Sequence, residues 1–325
     1  MKNMANKILE RIEQLDTWET PMLPENIPHG DMPGGKIQVT KEYIEKADKI
    51  FPELLRQIKE TVIQKQTERI VMTVCGGSGV GKSTIASLLS FYLNRLGISS
   101  YVLSGDNYPH RIPKYNDAER LRLFREAGLK KMIRDGEYTP ERFQKIQEWQ
   151  RKGIDASAIH AEQYPWFASY LIGGRKELEN YLGSSREIGF DEVKCIVKQF
   201  KDGASAIWLK RMGREEEELW YEQVDFSGIY VLNIDWSHGN SDYYQGVDIP
   251  VFLNSTPLET LECRLARNRD CDADSPFTAM VLEIEQELLK HQAHKAKIIF
   301  SKQGRILSFD EFRKLTMKDT EGETL

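Results

Sequence analysis

Residues 76–83 form a glycine-rich octapeptide whose spacing suits the binding of a nucleotide phosphate chain. It reads Gly-Gly-Ser-Gly-Val-Gly-Lys-Ser and fits GxxxxGK[ST] at every fixed position. Glycines let backbone N–H groups converge on anionic oxygens, and in such loops the lysine contacts the β- and γ-phosphates while the hydroxyl can ligate Mg²⁺. The sequence therefore predicts an NTP-binding site formed by Gly76, Gly77, Ser78, Gly79, Val80, Gly81, Lys82, Ser83 and Thr84, with Ser83 as a metal ligand.

The segments on either side of the octapeptide are those that must position such a loop. An apolar, β-branched stretch at 70–74 predicts a strand before it, and 84–96 has helical spacing after it. A second predicted strand, 99–104, ends at Gly105-Asp106-Asn107-Tyr108. Strand, helix and strand together indicate a right-handed βαβ unit and a parallel sheet. This context favours a nucleotide site over a glycine-rich loop that binds nothing.

Asp106 is the first candidate catalytic residue outside the loop. Ligands of parallel sheets bind beyond the carboxyl ends of the strands, so Asp106 is expected on the same edge as the phosphate loop. There it could accept the proton of an attacking hydroxyl, and Tyr108 beside it could contact the substrate. The alternative is an aspartate that only shapes a Gly-Asp-Asn turn.

A further predicted strand, 228–234, ends at Asp235, which is our candidate for the Walker-B carboxylate that holds Mg²⁺ from the far side. The alternative for Asp235 is again a turn residue. His238 follows in a polar loop and is a candidate substrate contact, although a lone histidine there is more often simply solvated.

Arginines are concentrated in two places that suit contact with phosphoryl groups. Arg267 and Arg269 lie in the segment Arg-Leu-Ala-Arg-Asn-Arg-Asp at 264–270, and guanidinium groups there could stabilise the charge of a transferring phosphoryl group. A solvated helix face would look the same. Arg211 and Arg214 follow an apolar segment at 206–209 and are predicted to meet an anionic group of the substrate.

The order of the predicted elements indicates an α/β fold with three parts. Residues 1–68 are expected to form a helical extension with a Pro/Gly-rich linker at 21–35 and a helix from Thr40 to Gln66 broken near Pro52. Residues 69–310 are expected to form a three-layer α/β/α domain with a mainly parallel sheet, interrupted by a helical insertion at 117–185. Further strands are predicted at 247–253 and 297–300, a helix at 278–294, and a tail at 311–325.

Composition excludes several classes of protein. The 325 residues carry a net charge of −5, with 29% charged and 40% hydrophobic residues, so the chain lacks the basic field that draws proteins onto nucleic acid. We find no signal-peptide core and no apolar run of membrane-spanning length, and therefore predict a cytoplasmic protein without a membrane partner. The four cysteines lack CxxC spacing, and Cys75 is expected to be buried at a strand end. The sequence leaves open whether the chain forms a homo-oligomer.

Taken in order, these pieces resemble the uridine kinase, phosphoribulokinase and pantothenate kinase family of P-loop kinases. Four stretches carry the resemblance: GGSGVGKST, GDNY, the Phe190-Asp191 opening of a predicted helix that runs to Gly203, and VDIPVFLNSTPLETLECRLARNRD. The resemblance implies a nucleoside/nucleotide kinase-like P-loop NTPase fold that uses ATP and Mg²⁺. It assigns Asp106 as the catalytic base, Lys82 and Ser83 to phosphate and Mg²⁺, and Arg267 and Arg269 to a lid. The chain departs from the family in having Asp235-Trp236 where Glu-Gly is usual.

The sequence therefore predicts an ATP-dependent kinase acting on a hydroxyl of a nucleoside, a sugar or sugar phosphate, or a vitamin precursor. The partner would be that small molecule. Three alternatives stay open. Gly105-Asp106-Asn107 also resembles a stretch of the adenylylsulfate kinases. A GTP-dependent switch is disfavoured by the absence of an NKxD stretch, and a nucleotide-binding regulator without catalysis would fit the missing Glu-Gly.

Overall fold

The computed structural model describes residues 4–15, 18–24, 26–256, 258–262, 264 and 275–322. The chain divides into two compact units. One comprises Met1–Tyr108, Phe190–Ser255 and Leu289–Leu325, and the other comprises Pro109–Gly189 and Thr256–Leu288. Within the described ranges, no helix combines the length and the apolar character needed to cross a membrane.

The helices and strands follow one another in an α/β order. The helices are α1 Met4–Glu13, α2 Lys41–Lys65, α3 Lys82–Arg95, α4 Pro113–Arg134, α5 Pro140–Arg151, α6 Ile159–Gln163, α7 Phe167–Tyr181, α8 Phe190–Lys201, α9 Pro276–Gln292 and α10 Phe309–Gly322. The strands are β1 Ile70–Gly76, β2 Ser100–Ser104, β3 Ala206–Met212, β4 Leu219–Asp225, β5 Val231–Asp235, β6 Ile249–Leu253, β7 Ile298–Phe300 and β8 Ile306–Leu307.

A six-stranded sheet in the order β2-β5-β1-β6-β7-β8 forms the centre of the first unit. The pairs β2–β5, β5–β1, β1–β6 and β6–β7 are parallel, and β8 runs antiparallel to β7. Strand β5 lies between β1 and β2, so the predicted βαβ unit skips one strand position. Because the four pairs are parallel, the carboxyl ends of β1, β2 and β5 meet at one edge of the sheet.

Successive side chains of the central strands pack on opposite faces of this sheet. On one face Val74 and Val251 join a core that also contains buried residues of α2 and α3. On the other face Cys75, Phe252 and their neighbours pack with residues of α9 and α10. This alternation follows from the two-residue period of a strand. It confirms the predicted three-layer α/β/α fold with a mainly parallel sheet.

Helix α2 differs from the prediction at Pro52. We expected a break there, but the helix is continuous from Lys41 to Lys65 with Pro52 inside it. Proline lacks an N–H group and so removes one bond of the helical ladder. Burial of neighbouring side chains such as Phe51, Leu54 and Ile58 in the core shared with the sheet outweighs that loss.

Strands β3 and β4 form a separate two-stranded antiparallel sheet in the first unit. Sequence analysis identified only an apolar segment at 206–209 and no partner strand. The reason lies in β4, where six of the seven residues are exposed, so no buried face leaves an alternating apolar pattern.

The second unit is helical and has its own core. The helices α4 to α7 cover the segment 117–185 that we predicted as an insertion, and Phe124, Phe167 and Tyr170 are fully buried within the unit. Buried Glu187 accepts hydrogen bonds from Arg120 and Asn116 within this unit. The domain boundaries assigned from the sequence stay a prediction.

Candidate active site

The phosphate loop follows β1 directly and leads into α3. Gly76 is the last residue of β1, and Gly81 is the N-cap of α3. A Cβ atom at position 76 would lie 2.6 Å from the carbonyl oxygen of Leu253, so only glycine fits where the loop leaves the sheet. The N-cap has no side chain that could cap the helix. The first amides of α3 and its positive dipole end therefore face the loop, which fits an anionic ligand.

Lys82 and Ser83 occupy the first turn of α3, as the motif requires. The Nζ atom of Lys82 donates to the carbonyl oxygen of Gly77 at 3.0 Å, which folds the lysine back along the loop. The loop positions Gly77, Ser78 and Val80 are half-buried, and so are Lys82 and Ser83. The residues present supply the backbone N–H groups and the positive charge with which such loops bind a phosphate chain.

Beside the loop, Cys75 is fully buried, as predicted. Burial raises the pKa of the Cys75 thiol to about 12, against the charge of Lys82, which lowers it. The thiol therefore stays protonated at neutral pH and is no candidate for a nucleophile.

Asp106 lies in a short 3₁₀ turn, Gly105–Asn107, that directly follows β2. It is exposed, whereas its neighbours Gly105 and Asn107 are buried. Among the described residues, no group forms a hydrogen bond or ion pair with its carboxylate. An exposed, unbonded carboxylate at the carboxyl end of a strand can accept a proton or bind water around a metal ion.

Asp235 is the last residue of β5 and is buried. Its Cα pairs in register with Val74 of β1 on one side and with Ser104 of β2 on the other. Asp235 thus lies level with the ends of the strands that carry the phosphate loop and Asp106. Trp236 follows and packs against the Gly105 backbone, where a Cβ atom would lie 1.9 Å from the indole ring.

The four weaker substrate candidates have different surroundings. Tyr108 is fully buried, and burial raises the pKa of its hydroxyl. Arg214 is exposed, and His238 is half-buried against the rings of Phe190 and Trp236. Arg211 is buried and points inward, where Asp31, Tyr101 and other groups engage its guanidinium. These bonds engage Nε, Nη1 and Nη2 of the guanidinium, and the substrate contact of Arg211 stays a prediction.

The candidate lid arginines, Arg267 and Arg269, lie outside the residues that the structure describes. The predicted metal ligands, Ser83 and Asp235, would provide only part of an Mg²⁺ shell, the rest coming from phosphate and water oxygens. Within the described part of the chain, no group of three His, Cys, Asp or Glu residues forms a metal cluster. A ring nitrogen of His294 lies 2.8 Å from the carbonyl oxygen of His291.

Two residues of the N-terminal extension reach this site and were missed by sequence analysis. The ring of Tyr43 in α2 lies against Gly81, where a Cβ atom would lie 2.2 Å from a ring carbon. The carboxylate of Asp31 bonds to Ser104 and Asn107, which flank Asp106. Neither residue belongs to a recognisable motif, so no local pattern indicated these contacts.

Comparison with known proteins supports the assignment of the loop. Residues 68–126, which include β1, the phosphate loop, α3, β2 and Asp106, match the adenylylsulphate kinase family. A bifunctional alpha-galactosidase/sucrose kinase, AgaSK, from Mediterraneibacter gnavus is 41% identical over 238 residues. These residues are 73% of this chain but 20% of that relative, so the chain spans about a fifth of its length.

Two more distant similarities concern other kinases. An adenylyl-sulfate kinase of Escherichia coli strain K12 is 40% identical over 62 residues, which are 18% of this chain and 31% of the enzyme. A solved structure from Silicibacter sp. TM1040, provisionally named a fructose transport system kinase, superposes with a TM-score of 0.43. It is 14% identical, and the match covers 73% of this chain and 92% of that one.

The phosphate loop, the strand order of the sheet and the match over residues 68–126 agree with one another. The first unit therefore has the P-loop fold that the motif predicts, and residues 68–126 are similar to the adenylylsulphate kinases.

Proposed function

We propose that this chain is an ATP-dependent kinase that transfers the γ-phosphoryl group to a hydroxyl of a sugar, with sucrose as the first acceptor to test. One observation carries the proposal: the phosphate loop, Asp235 and Asp106 follow the carboxyl ends of the neighbouring strands β1, β5 and β2. The choice of a sugar rests on the relative from Mediterraneibacter gnavus, whose name includes a sucrose kinase.

The donor half of the site would consist of the loop, Lys82, Ser83 and Asp235. Backbone N–H groups of the loop and the Lys82 amine would bind the phosphate oxygens, and the hydroxyl of Ser83 with the carboxylate of Asp235 would hold Mg²⁺. The ion would supply charge neutralisation for the transferred group. Arg267 and Arg269 stay the predicted lid arginines, whose positive charge would stabilise the transferred group.

In the acceptor half of the site, we assign the proton transfer to Asp106. Its exposed carboxylate would accept the proton of the sugar hydroxyl while that oxygen bonds to the γ-phosphorus and the bond to the ADP oxygen breaks. Phosphoryl transfer depends mostly on positioning and electrostatic stabilisation, so a carboxylate that other side chains do not occupy suits this role. Tyr108, Arg214 and His238 stay predicted contacts of the acceptor.

The test is an ADP-release assay with ATP, Mg²⁺ and a panel of acceptors, followed by mass spectrometry of the product. The panel contains sucrose, fructose, glucose, uridine and pantothenate. We expect ADP release that depends on a sugar, together with a product 80 Da heavier, since phosphorylation adds about that mass. ATP turnover with uridine or pantothenate alone would overturn the sugar assignment. Tight ATP binding without any acceptor-dependent turnover would overturn the kinase assignment.

A second candidate function is phosphorylation of adenylyl sulfate. The match of residues 68–126 to the adenylylsulphate kinase family favours it, and so does Gly105-Asp106-Asn107. The match covers the phosphate loop and the Asp106 turn but not Asp235, the β3–β4 sheet or α8. Adding adenylyl sulfate to the panel decides between the two candidates. The cytoplasmic location and a homo-oligomer stay predictions.

A further inference from the structure

We infer that Asp31, in the linker of the N-terminal extension, is the positioning residue that fixes the turn presenting Asp106 to the acceptor. The inference rests on the proposed function for its catalytic consequence, and on the geometry of described residues for its structural part. By this inference, a residue of the N-terminal extension helps to position the active site.

The Asp31 carboxylate accepts hydrogen bonds from four donors. One oxygen accepts from the backbone N–H of Ser104 at 2.7 Å and from the side-chain amide of Asn107 at 3.2 Å. The other accepts from Arg211 at 2.8 Å and from the hydroxyl of Tyr101 at 3.0 Å. The Asp31 side chain is 8% exposed, so water cannot replace these partners readily.

These bonds fix the turn on both sides of Asp106. Ser104 ends β2, and Asn107 closes the 3₁₀ turn. The Asn107 side chain also accepts from the backbone N–H of Met212 at 3.1 Å, which ties the turn to β3. Asp106 itself has no bonded partner among the described residues. The position of Asp106 is therefore set by its neighbours in the chain. Asp31 bonds to a residue on each side of it, Ser104 before it and Asn107 after it.

The location of β2 explains why a side chain performs this task. Strand β2 is at the end of the strand order, so no strand among the described residues pairs with its outer edge. The linker runs along that edge, because a Cβ atom on Gly30 would lie 3.2 Å from a side-chain carbon of Val102. The N–H of Ser104 would otherwise be an unpaired buried group, and the carboxylate of Asp31 satisfies it.

Arg211 completes the arrangement as the countercharge. Burial lowers the pKa of Arg211, but the charge of Asp31 and the contacts of Tyr101 and Glu222 outweigh burial and leave its pKa raised. The guanidinium thus keeps its charge and its bond to the carboxylate. An internal pair of this kind makes Asp31→Asn disruptive, because the amide presents donors to groups that are themselves donors.

The experiment compares Asp31→Asn with the matched control Asp248→Asn. Asp248 is another buried carboxylate, bonded to Lys65, to Lys201 and to the backbone N–H of Val71, near the start of β1. Both substitutions remove a buried charge, but only the first touches the Asp106 turn. We measure kcat and the KM for ATP of the full chain with sucrose, and hydrogen exchange of the peptide that covers residues 104–107.

For Asp31→Asn we expect kcat to fall by at least about tenfold, since small misplacements of a reacting group have large effects, while the KM for ATP stays within about twofold. We also expect faster exchange at residues 104–107. Asp248→Asn should lower Tm but change neither kcat nor that exchange. Unchanged kcat and exchange in Asp31→Asn would overturn the inference, and so would an equal loss of kcat in both variants.

Two cases need a separate measurement: a wild-type chain without activity, and an Asp31→Asn variant that does not fold. If the wild-type chain releases no ADP with any acceptor, the proposed function fails, while the exchange measurement still decides whether Asp31 holds the turn. If Asp31→Asn does not fold, Asn107→Ala serves instead, because it leaves the pair of Asp31 and Arg211 intact. It should produce the same fall in kcat and the same faster exchange, and wild-type values for both would overturn the inference.

Discussion

Lys82 and Asp106 differ in how firmly the protein holds their side chains. The Lys82 amine bonds to Gly77 within the loop, so it is oriented before a nucleotide binds. The Asp106 carboxylate has no such bond among the described groups and faces solvent. In the proposed site, the donor side is therefore held by a contact of the Lys82 side chain itself, and the acceptor side by contacts of the residues around Asp106.

This difference predicts separable effects of two substitutions. Lys82→Ala should weaken nucleotide use, because it removes the charge that meets the β- and γ-phosphates. Asp106→Asn should leave nucleotide binding near the wild-type value and lower turnover by about 10²- to 10⁴-fold, the usual range for a general base. Nucleotide titration and the ADP-release assay measure the two effects. The control is Asp202→Asn, which removes an exposed carboxylate that pairs with Lys198 on the surface. Full activity of Asp106→Asn would contradict the base assignment.

A second prediction at this scale concerns the cysteines. Because burial raises the pKa of Cys75 to about 12, its reactive thiolate is scarce at pH 8, and its atoms are fully enclosed. Iodoacetamide should label the exposed Cys195 and leave Cys75 unmodified in the folded chain. Peptide mass spectrometry measures both sites. Equal labelling of the two thiols without denaturant would show that the strand end beside the loop opens.

At the scale of elements, the junction between the phosphate loop and α3 is supported from outside by α2. Gly81 has φ of +94°, a region that favours glycine, and its Cα faces the ring of Tyr43. A side chain at position 81 is therefore unfavourable for two independent reasons. The first concerns the backbone conformation and the second concerns contact with another element.

Gly81→Ala separates these reasons when it is compared with Gly203→Ala. Gly203 has φ of +89° but open space where a Cβ atom would lie, so it shows the cost of backbone strain alone, about 1–3 kcal/mol. Gly81→Ala should lower Tm further and weaken nucleotide binding by at least about tenfold. Thermal melts and nucleotide titration measure both. Equal Tm values for the two variants would show that the Tyr43 ring moves aside without a loss of stability.

Elements with a strong local pattern could be predicted from the sequence. The β-branched run before the loop and the helical spacing after it predicted β1 and α3, and β2, β5, β6 and β7 were found close to their observed positions. Strand β4 was missed because exposure leaves no alternation, and the break at Pro52 was wrong because packing overrides local propensity. The roles of the site residues stay predictions.

The contacts of Asp31 and Tyr43 could not be predicted for a different reason. Asp31 meets partners 70 to 180 residues away along the chain, from Tyr101 to Arg211. Contacts between distant segments depend on the assembled fold and leave no periodicity or motif in the sequence. The bond between Arg211 and Asp31 is another such contact, because the two residues lie far apart in the sequence.

At the scale of the first unit, the N-terminal extension belongs to the core of the sheet. Helix α2 buries Ile50, Phe51, Leu54, Ile58 and Val62 in the cluster that also contains β1 and α3 residues. Burying one such side chain contributes about 1.5–3 kcal/mol. Five of them together are comparable with the whole stability of a domain, about 5–15 kcal/mol.

A chain that starts at residue 69 should therefore not fold. Removing α2 exposes the apolar face of α3 and of the sheet, and we expect the truncated chain to be insoluble or to lack a cooperative thermal transition. Expression, light scattering and circular dichroism melts measure this. A cooperative melt near the wild-type Tm would show that the sheet and its remaining helices are sufficient.

The outer edge of β2 has one more consequence. An unpaired edge strand is a template on which a strand of another molecule can add, and many proteins block such edges with charge or cover. Here Gly30 and Asp31 cover the edge, and a buried carboxylate takes the N–H that an incoming strand would need. We therefore expect the linker to hinder edge-to-edge pairing of two molecules, and a substitution at Asp31 to increase aggregation as well as to remove a bond.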